Sequence, residues 1–313
     1  MSLSIEQISA VSYSAVLADL RKPQNQWKSN AALDYLEKKG FIQRVSLGVN
    51  IEAPVDYRSN PDTAILASDQ DSASLLKTEV ITSAVYDIAQ LNVPVTWTKG
   101  DEAKNPTDTQ KIALVRSLLE NAVDSHDDLL EQKIFTSSSV GGVEINGLDN
   151  LVPTSGQGTV GGIDASVETW WRNQASTYTD GSDIEAAMTD VFNACAKGSG
   201  GAQPTVLISG QSPIGLFESQ LQALQRFIDS DSADAGFKAL AFHGAKFIYS
   251  NRGGTSIYFL NPKNYQMIVS KQYFRDKGQT YDVPGQNAFY FLIYSAMQFI
   301  VNNKSRLGVL YAG

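Results

Sequence analysis

The sequence predicts an α+β chain built around one long helix and an extended strand pair, and three observations carry that prediction. Residues Arg44 to Ala53 alternate in polarity, with Val45, Leu47, Val49 and Ile51 on one side and Ser46, Gly48, Asn50 and Glu52 on the other. That is the period of a half-buried strand. Residues Thr107 to Phe135 contain neither glycine nor proline and place Ile112, Val115, Leu119, Ala122, Val123, Leu130 and Ile134 at helical spacing. Beyond Leu240, short strand-like runs dominate.

Taken in order, Ser4 to Lys39 reads as short helical pieces separated by Pro23 and Asn30, an arm that packs against something else. Its last piece, Ala31 to Lys39, has Ala32, Leu33 and Leu36 on one face, and Gly40 follows as the helix stop. A second alternation, Leu91, Val93, Val95 and Trp97, is read as the return strand of a long hairpin that starts at Arg44. The stretch between, Pro54 to Thr82, is rich in Ser, Asp, Asn and Ala and forms its irregular tip. A hairpin with one apolar face is marginal alone, so it is expected to lie on another surface, that of a second subunit.

Asn105-Pro106-Thr107 opens the long helix, a strut of about 43 Å at 1.5 Å per residue. Gly141-Gly142, Asn146-Gly147 and Gly161-Gly162 mark turns between short strands from Ser137 to Gly162. Ser182 or Asp183 caps a second helix, Ile184 to Lys197, closed by Gly198. Thr205 to Ser209 is a short buried strand, and Ser212-Pro213 starts a third helix that runs to about Ile228. Strands follow at Leu240–Phe242, Lys246–Tyr249, Ser256–Leu260 and Gln266–Val269, with Gly253-Gly254 as a hairpin turn. A long run, Ala288 to Asn302, turns at Asn303 to Arg306 and ends in Leu307 to Ala312.

Composition bounds the function. Hydrophobic residues make up 42% of the 313 and charged residues 19%, a globular balance. The net charge of −8 argues against a protein whose main task is gripping nucleic acid, because phosphate contacts are made by Lys and Arg. Cys195 is the one cysteine, so no intrachain disulfide forms. Met1 to Ala10 shows no signal peptide. The longest apolar stretch, Phe289 to Val301, is shorter than a membrane span and is broken by Ser295 and Gln298, so no membrane partner is expected.

Chemistry is sparse. His126 and His243 are the only histidines, and neither has a second ligand at metal spacing, so no metal site is expected and both are read as structural. Gly156-Gln157-Gly158-Thr159-Val160-Gly161 matches the dinucleotide fingerprint, the one feature that favours a nucleotide-binding oxidoreductase. Its context fails: Pro153-Thr154-Ser155 precedes it in place of a strand, and Gly162 prolongs the loop in place of a helix. Asp127, Asp128 and Glu131 form an acidic cluster on the long helix, read as a solvated or inter-subunit face. Trp170-Trp171-Arg172 is read as core or interface, and Cys195 as a buried small hydrophobe. No catalytic, cofactor or metal site is expected, and the chain reads as a non-enzyme.

The order of parts resembles a known family. Ile145-Asn146-Gly147-Leu148-Asp149-Asn150-Leu151-Val152, then Gly158 to Asp164, then Trp170-Trp171-Arg172-Asn173, is similar to a signature of tailed-bacteriophage major capsid proteins of the Hong Kong 97-type fold. Gly236 to Leu240 and Phe242 to Ala245 resemble a second stretch of that family. The resemblance runs from about Arg44 to the C-terminus and implies four parts. These are an N-terminal arm, 1–42; an extended β-hairpin loop, 43–100; a peripheral domain with a spine helix, 101–182 and 291–313; and an axial domain with a central mixed sheet, 183–290. It implies self-assembly into pentamers and hexamers of an icosahedral head shell, without cofactors. Implied partners are a portal protein, a separate scaffolding protein, a cement or decoration protein, and packaged DNA held by weak non-specific contact. The expected inter-subunit contacts are Val45, Leu47, Val49, Ile51, Lys77 and Trp97. An encapsulin-type nanocompartment of the same fold is the alternative.

Overall fold

The computed structural model describes residues 30–313 apart from 47, 61–62, 64–78, 106, 141–142, 197–202 and 222–239. The arm before residue 30, Leu47, Lys77, Gly141-Gly142, Gly198 and the end of the third helix therefore lie outside the described residues.

Helix α1 (Ala31–Lys38) buries Ala32, Leu33 and Leu36, the face the sequence indicated. It ends at Gly40, whose φ is +78°, and the Phe41 amide donates to the Leu36 carbonyl at 3.1 Å. This is a Schellman ending, where a left-handed residue is needed and glycine meets it without a Cβ clash. Strands β1 (Ile42–Val45), β2 (Asn50–Asp56), β3 (Ile81–Asp87) and β4 (Ala89–Thr98) follow.

Here the structure corrects the expected hairpin. Arg44 to Ala53 is not one strand: β1 stops at Val45, and β2 restarts at Asn50. The partner of β2 is β3, with Ala53 opposite Ala84, and not the Leu91–Thr98 run. β4 instead pairs from Ala89 to Thr98 with a strand at Ala288–Val301. The reason lies in surface on offer. Val95 and Trp97 find a deep apolar bed beneath the long helix, which a two-stranded ribbon cannot supply. Pro54 has no N–H to donate, which suits β2 to the edge of a ribbon.

Next come α2 (Lys99–Lys104) and α3 (Asp108–Phe135). Thr107 caps α3 through a reciprocal box with Gln110, at 3.4 Å in each direction. The 28 residues of α3 span about 42 Å. The glycine-rich stretch becomes β5 (Ser138–Val140), β6 (Val143–Ile145), the single turn α4 (Leu148–Leu151), β7 (Thr159–Val160) and β8 (Ile163–Asp164). Gly161 and Gly162 sit between β7 and β8 at φ +61° and +77°, the signs that a tight hairpin turn demands. The Gly156–Gly161 match thus opens no helix. The remaining elements are β9 (Gln174–Tyr178), α5 (Ile184–Cys195), β10 (Val206–Ser209), α6 (Gln211–Leu221), β11 (Ala241–Phe242), β12 (Ala245–Tyr249), β13 (Ile257–Leu260), β14 (Tyr265–Ser270), β15 (Asp276–Lys277), β16 (Tyr281–Asp282), β17 (Ala288–Val301) and β18 (Gly308–Ala312).

Two mixed sheets organise the chain. In the first, β4 lines one edge of β17, while β14, β15 and β16 follow one another along the other edge and β1 runs parallel to β14. α3 lies on this sheet, with Val115, Leu119, Ala122 and Val123 packed on Val95, Trp97, Phe291 and Ile293. Each of the larger side chains among them contributes about 2 kcal/mol by leaving water. The second sheet has the order β11-β12-β10-β13-β18-β9. It packs on α5, where Met188, Val191, Phe192 and Cys195 meet Leu207, Phe259 and Leu310. A larger core joins α1, the hairpin, the end of α3 and both sheets.

The second sheet holds a further correction. Gly253-Gly254 does not close a hairpin between β12 and β13, because β10 lies between them, parallel to β12 and antiparallel to β13. The glycines serve close approach instead: a Cβ on Gly210 would sit 2.0 Å from the Gly254 carbonyl oxygen. Sheet membership also cuts across the implied domain limits. β14 joins the α3 sheet, and the last strand, β18, joins the other.

A charged hub on the long helix and an exposed hairpin face

One and a half turns of α3 fasten four separate parts of the chain. His126 is 0% exposed, and its Nε2 lies 2.8 Å from Ser295 Oγ on β17. Its Nδ1 lies 3.2 Å from Asp127 Oδ1. Asp127 accepts from Arg275, Nη2 to Oδ1 at 2.7 Å, and the same guanidinium reaches Glu37 on α1 at 3.0 Å. Burial opposes the charge on Arg275; these two carboxylates outweigh it and hold the guanidinium above its usual range. Arg275 sits at φ +53°, a left-handed conformation that costs roughly 1 kcal/mol. Its ion pairs and its N–H donated to Ser295 Oγ at 2.8 Å keep it there. Asp128 takes both oxygens' bonds from Arg252 at 2.7 Å. Glu131, fully buried, accepts the Leu33 amide at 2.7 Å, the Ala32 amide at 3.3 Å and the Ser250 hydroxyl at 2.7 Å.

The acidic cluster is therefore not a solvated or inter-subunit face. Asp127 and Glu131 are interior, and each is answered by a group more than ninety residues away in sequence. Burying a carboxylate is tolerable only with such partners. Ser295, His126 and Asp127 share the order of a hydrolytic triad. Ser295 and His126 are both 0% exposed and the serine oxygen already takes the Arg275 amide, so the row is a brace between α3 and β17. Among the described residues no cluster of metal-ligating side chains occurs, and no helix is long and apolar enough to cross a membrane.

The hairpin is seated by its inner face. Ala53, Val55, Ala84 and Tyr86 are buried in the main core of their own chain. The Tyr86 hydroxyl donates to the Val301 carbonyl at 2.8 Å, and burial raises its pKa above the usual phenol range. The turn glycine Gly161 accepts the Val85 amide at 3.0 Å, and a Cβ there would fall 2.6 Å from Ala84 Cβ. Trp171 is fully buried and donates to the Val160 carbonyl at 3.1 Å, fixing the same turn. Trp170 stacks on Tyr57, the residue that follows β2 on the loop side of the hairpin, ring centroids 5.0 Å apart. The outer face is different. Glu52, Pro54 and Asp56 alternate with the buried set, opposite Val85, Ser83 and Ile81, and all are exposed. Ile81 is 66% exposed and Val85 39%.

The residues singled out from sequence are dispersed. Val45 and Val49 are exposed, at 43% and 90%. Ile51 is half-buried and packs inward on its own core. Trp97 is buried against Phe289 and Phe291 and donates to Glu102 at 3.0 Å, so it belongs to the interior of its own chain. Leu47 and Lys77 lie outside the described residues. Sequence reasoning missed Ile81 and Val85. Their signal was present: Ile81, Ser83 and Val85 alternate with Thr82, Ala84 and Tyr86, but both phases carry apolar residues and neither phase stands out.

The chain is similar over almost its whole length to solved shell structures. The capsid asymmetric unit of cyanophage A-1(L) is 16% identical, with 93% of this chain and 94% of that one covered and a TM-score of 0.63. The capsid of the native GTA particle is 14% identical, with 94% and 96% covered and a TM-score of 0.58. The holo encapsulin complex from Synechococcus elongatus is 13% identical, with 95% and 94% covered and a TM-score of 0.57. No family model and no curated protein matches the sequence. The chain has the Hong Kong 97-type α+β fold that these shells share.

Proposed function

We propose that this chain is the major capsid protein of a tailed phage, a non-enzymatic subunit that self-assembles into pentamers and hexamers of an icosahedral head. The observation that carries this is the end-to-end match to the cyanophage capsid subunit, 93% of one chain on 94% of the other. A match that runs the length of both chains supports the reading of a shell subunit. The exposed hairpin face supports the same reading, since a single chain leaves Ile81 and Val85 in water.

In this reading the chain before about residue 42 is an arm and the hairpin is an extended loop. α3 with its sheet forms a peripheral part and the second sheet an axial part. Val45, Val49 and the outer hairpin face meet neighbouring copies. Portal, scaffolding and cement proteins are further partners, assembly takes place in the host cytoplasm, and packaged DNA is held by weak non-specific contact. An encapsulin-type compartment is the second reading, favoured by the match to the Synechococcus shell.

Electron microscopy of the purified protein tests the proposal. Closed shells are expected, and a chain that stays monomeric at every concentration would overturn it. Shells recovered from the native host separate the readings: nuclease-protected DNA supports the phage head, and a packaged enzyme supports the compartment.

A further inference from the structure

The second sheet ends on a strand with an open side. β9 bonds to β18 alone, Ser176 standing beside Leu310. The Gln174 amide donates to the Leu307 carbonyl at 2.9 Å, and the Gly313 amide donates to the Tyr178 carbonyl at 3.0 Å. In a parallel ladder a residue turns its N–H and its C=O to one side, and its chain neighbours turn theirs to the other. Gln174, Ser176 and Tyr178 therefore bond to β18, and the amides and carbonyls of Ala175 and Thr177 face away from the sheet. Both of these residues are exposed. Charge and proline are common ways to blunt such an edge, and β9, which reads Gln-Ala-Ser-Thr-Tyr, has neither. The opposite edge, β11, is only two residues long and offers little to pair with.

Opposite charges stand at the two ends of this edge. A groove of about 770 Å³ opens at its start, lined by Ala175 together with Arg172 and Arg306, and Asp56 is its one acid. Arg172 donates to the Ala165 carbonyl at 2.9 Å and to the Ser166 carbonyl at 3.1 Å, and among the described residues neither arginine forms an ion pair. Asp180 stands exposed just past the other end of β9. The Ser182 hydroxyl and amide both donate to its Oδ1 and hold its carboxyl below the usual range, so it carries its charge.

We propose that β9 is a self-complementary contact: the β9 strands of two copies of this chain pair antiparallel about a two-fold axis at Ser176, joining two six-stranded sheets into one. Three features of the strand fix that register. Ala175 of one copy falls opposite Thr177 of the other, and these are the residues whose amides and carbonyls point outward, so each pair exchanges both of its hydrogen bonds. Arg172 and Asp180 both lie four residues from Ser176, so each arginine meets the other copy's carboxylate at the mouth of the groove that Arg306 also lines. An axis at Ala175 would set Arg172 against Tyr178, and one at Thr177 would set it against Ser182, with no charge answered. A two-fold contact is the commonest way for a patch to meet itself. In a shell, such an axis falls between capsomers, and that consequence alone rests on the shell reading.

Disulfide trapping of the full-length protein tests the pairing. Ser176 faces its own copy in a pair without mutual hydrogen bonds, where Cα atoms stand about 4.5 Å apart, within the span of a disulfide. Ser176→Cys, mildly oxidised and run on a non-reducing gel, should give a linked dimer as its main product; Cys195 is fully buried and does not compete. Ala175→Cys, whose opposite is Thr177, should give at most about one tenth as much. Adding Thr177→Pro to Ser176→Cys removes an outward N–H and no bond to β18, and should cut linking about tenfold. Adding Asp180→Asn keeps an acceptor for Ser182, removes the charge, and should cut linking about threefold. Should the proline variant not fold, the two cysteine variants and Asp180→Asn decide the matter. Linking of Ser176→Cys no better than that of Ala175→Cys would overturn the pairing, and so would a folded proline variant that links as well as its parent. Shells that form with Ser176→Cys unlinked refute the pairing alone, and linked dimers that never close into shells refute the shell reading alone.

Discussion

Two regions of the molecule treat water in opposite ways. On α3, between His126 and Glu131, titratable side chains are withdrawn from solvent and each is answered inside the chain, by Ser295, Arg275, Arg252, Ser250 and the start of α1. On the outer face of β2 and β3, aliphatic side chains stand in solvent, Ile81 at 66% and Val85 at 39% exposed. The first region is polar and finished within one subunit. The second sets Ile81 and Val85 among Glu52, Asp56 and Ser83 and stays open to solvent in the single chain; in the proposed shell a neighbouring copy covers it. Polarity alone would have exchanged their roles, and partner availability decides instead. A carboxylate may be buried where a hydrogen-bond donor waits, and an isoleucine may be left out where a second chain will cover it.

The contrast can be broken from either side. Asp127→Ala should have the largest effect, since it strips Arg275 of its closest counter-charge and His126 of its orienting partner. A loss of about 3 kcal/mol is expected, near the low end for breaking a buried pair because Arg275 keeps Glu37. Urea denaturation of the unassembled protein reads it. A loss below about 0.5 kcal/mol would mean that the hub is decorative.

Gly161→Ala acts where the hairpin meets its seat. The φ of +61° and a Cβ 2.6 Å from Ala84 Cβ should cost about 2 kcal/mol. Tyr86, one contact away, should lose exchange protection in its neighbourhood first, and uniform loss across the chain would contradict a local role.

Lys304 sharpens the comparison from a third place. It is fully buried, its Nζ donates to the Gln157 carbonyl at 3.2 Å, and burial pushes its pKa down to about 8 despite Asp164 nearby. The folded form thus holds the proton less tightly than the unfolded chain. Stability should rise as pH climbs from about 8 towards 10.5, because the unfolded state is then the one binding the proton. Lys304→Met should flatten that slope in thermal melts across the range.

Val85→Lys with Ile81→Lys should have the smallest effect on the subunit, within about 0.5 kcal/mol in denaturation, because both sites face water and stand opposite Glu52 and Asp56. The same pair should abolish assembly by light scattering. Normal scattering growth would show that the hairpin face has no partner.

What could be read from sequence follows from how local the signal is. α3 was legible to within a residue, because its cap, Thr107 with Gln110, and its apolar spacing are contiguous. The stop at Gly40, the buried Cys195 and the final β17–β18 turn were legible for the same reason. Strand pairing was not. β4 has the alternation of a hairpin arm, and only the presence of β17, two hundred residues on, shows where its hydrogen bonds go. The hub was invisible for a stronger version of that reason. Asp127, Asp128 and Glu131 look like any solvated stripe, and Arg275 lies 148 residues from Asp127 and Ser250 lies 119 from Glu131. Val45 and Val49 were found by period, while Trp97 shared that period and turned inward, since periodicity fixes a face and not what covers it.

The most direct measurement is a cryo-electron microscopy reconstruction of the particles formed by the purified chain. A closed icosahedral shell is expected, in which Ile81 and Val85 of each hairpin are covered by an adjacent copy while Asp127 and Glu131 keep their partners within the chain. Particles in which the hairpin faces stay in solvent, or in which the hub carboxylates cross to a neighbouring copy, would contradict it.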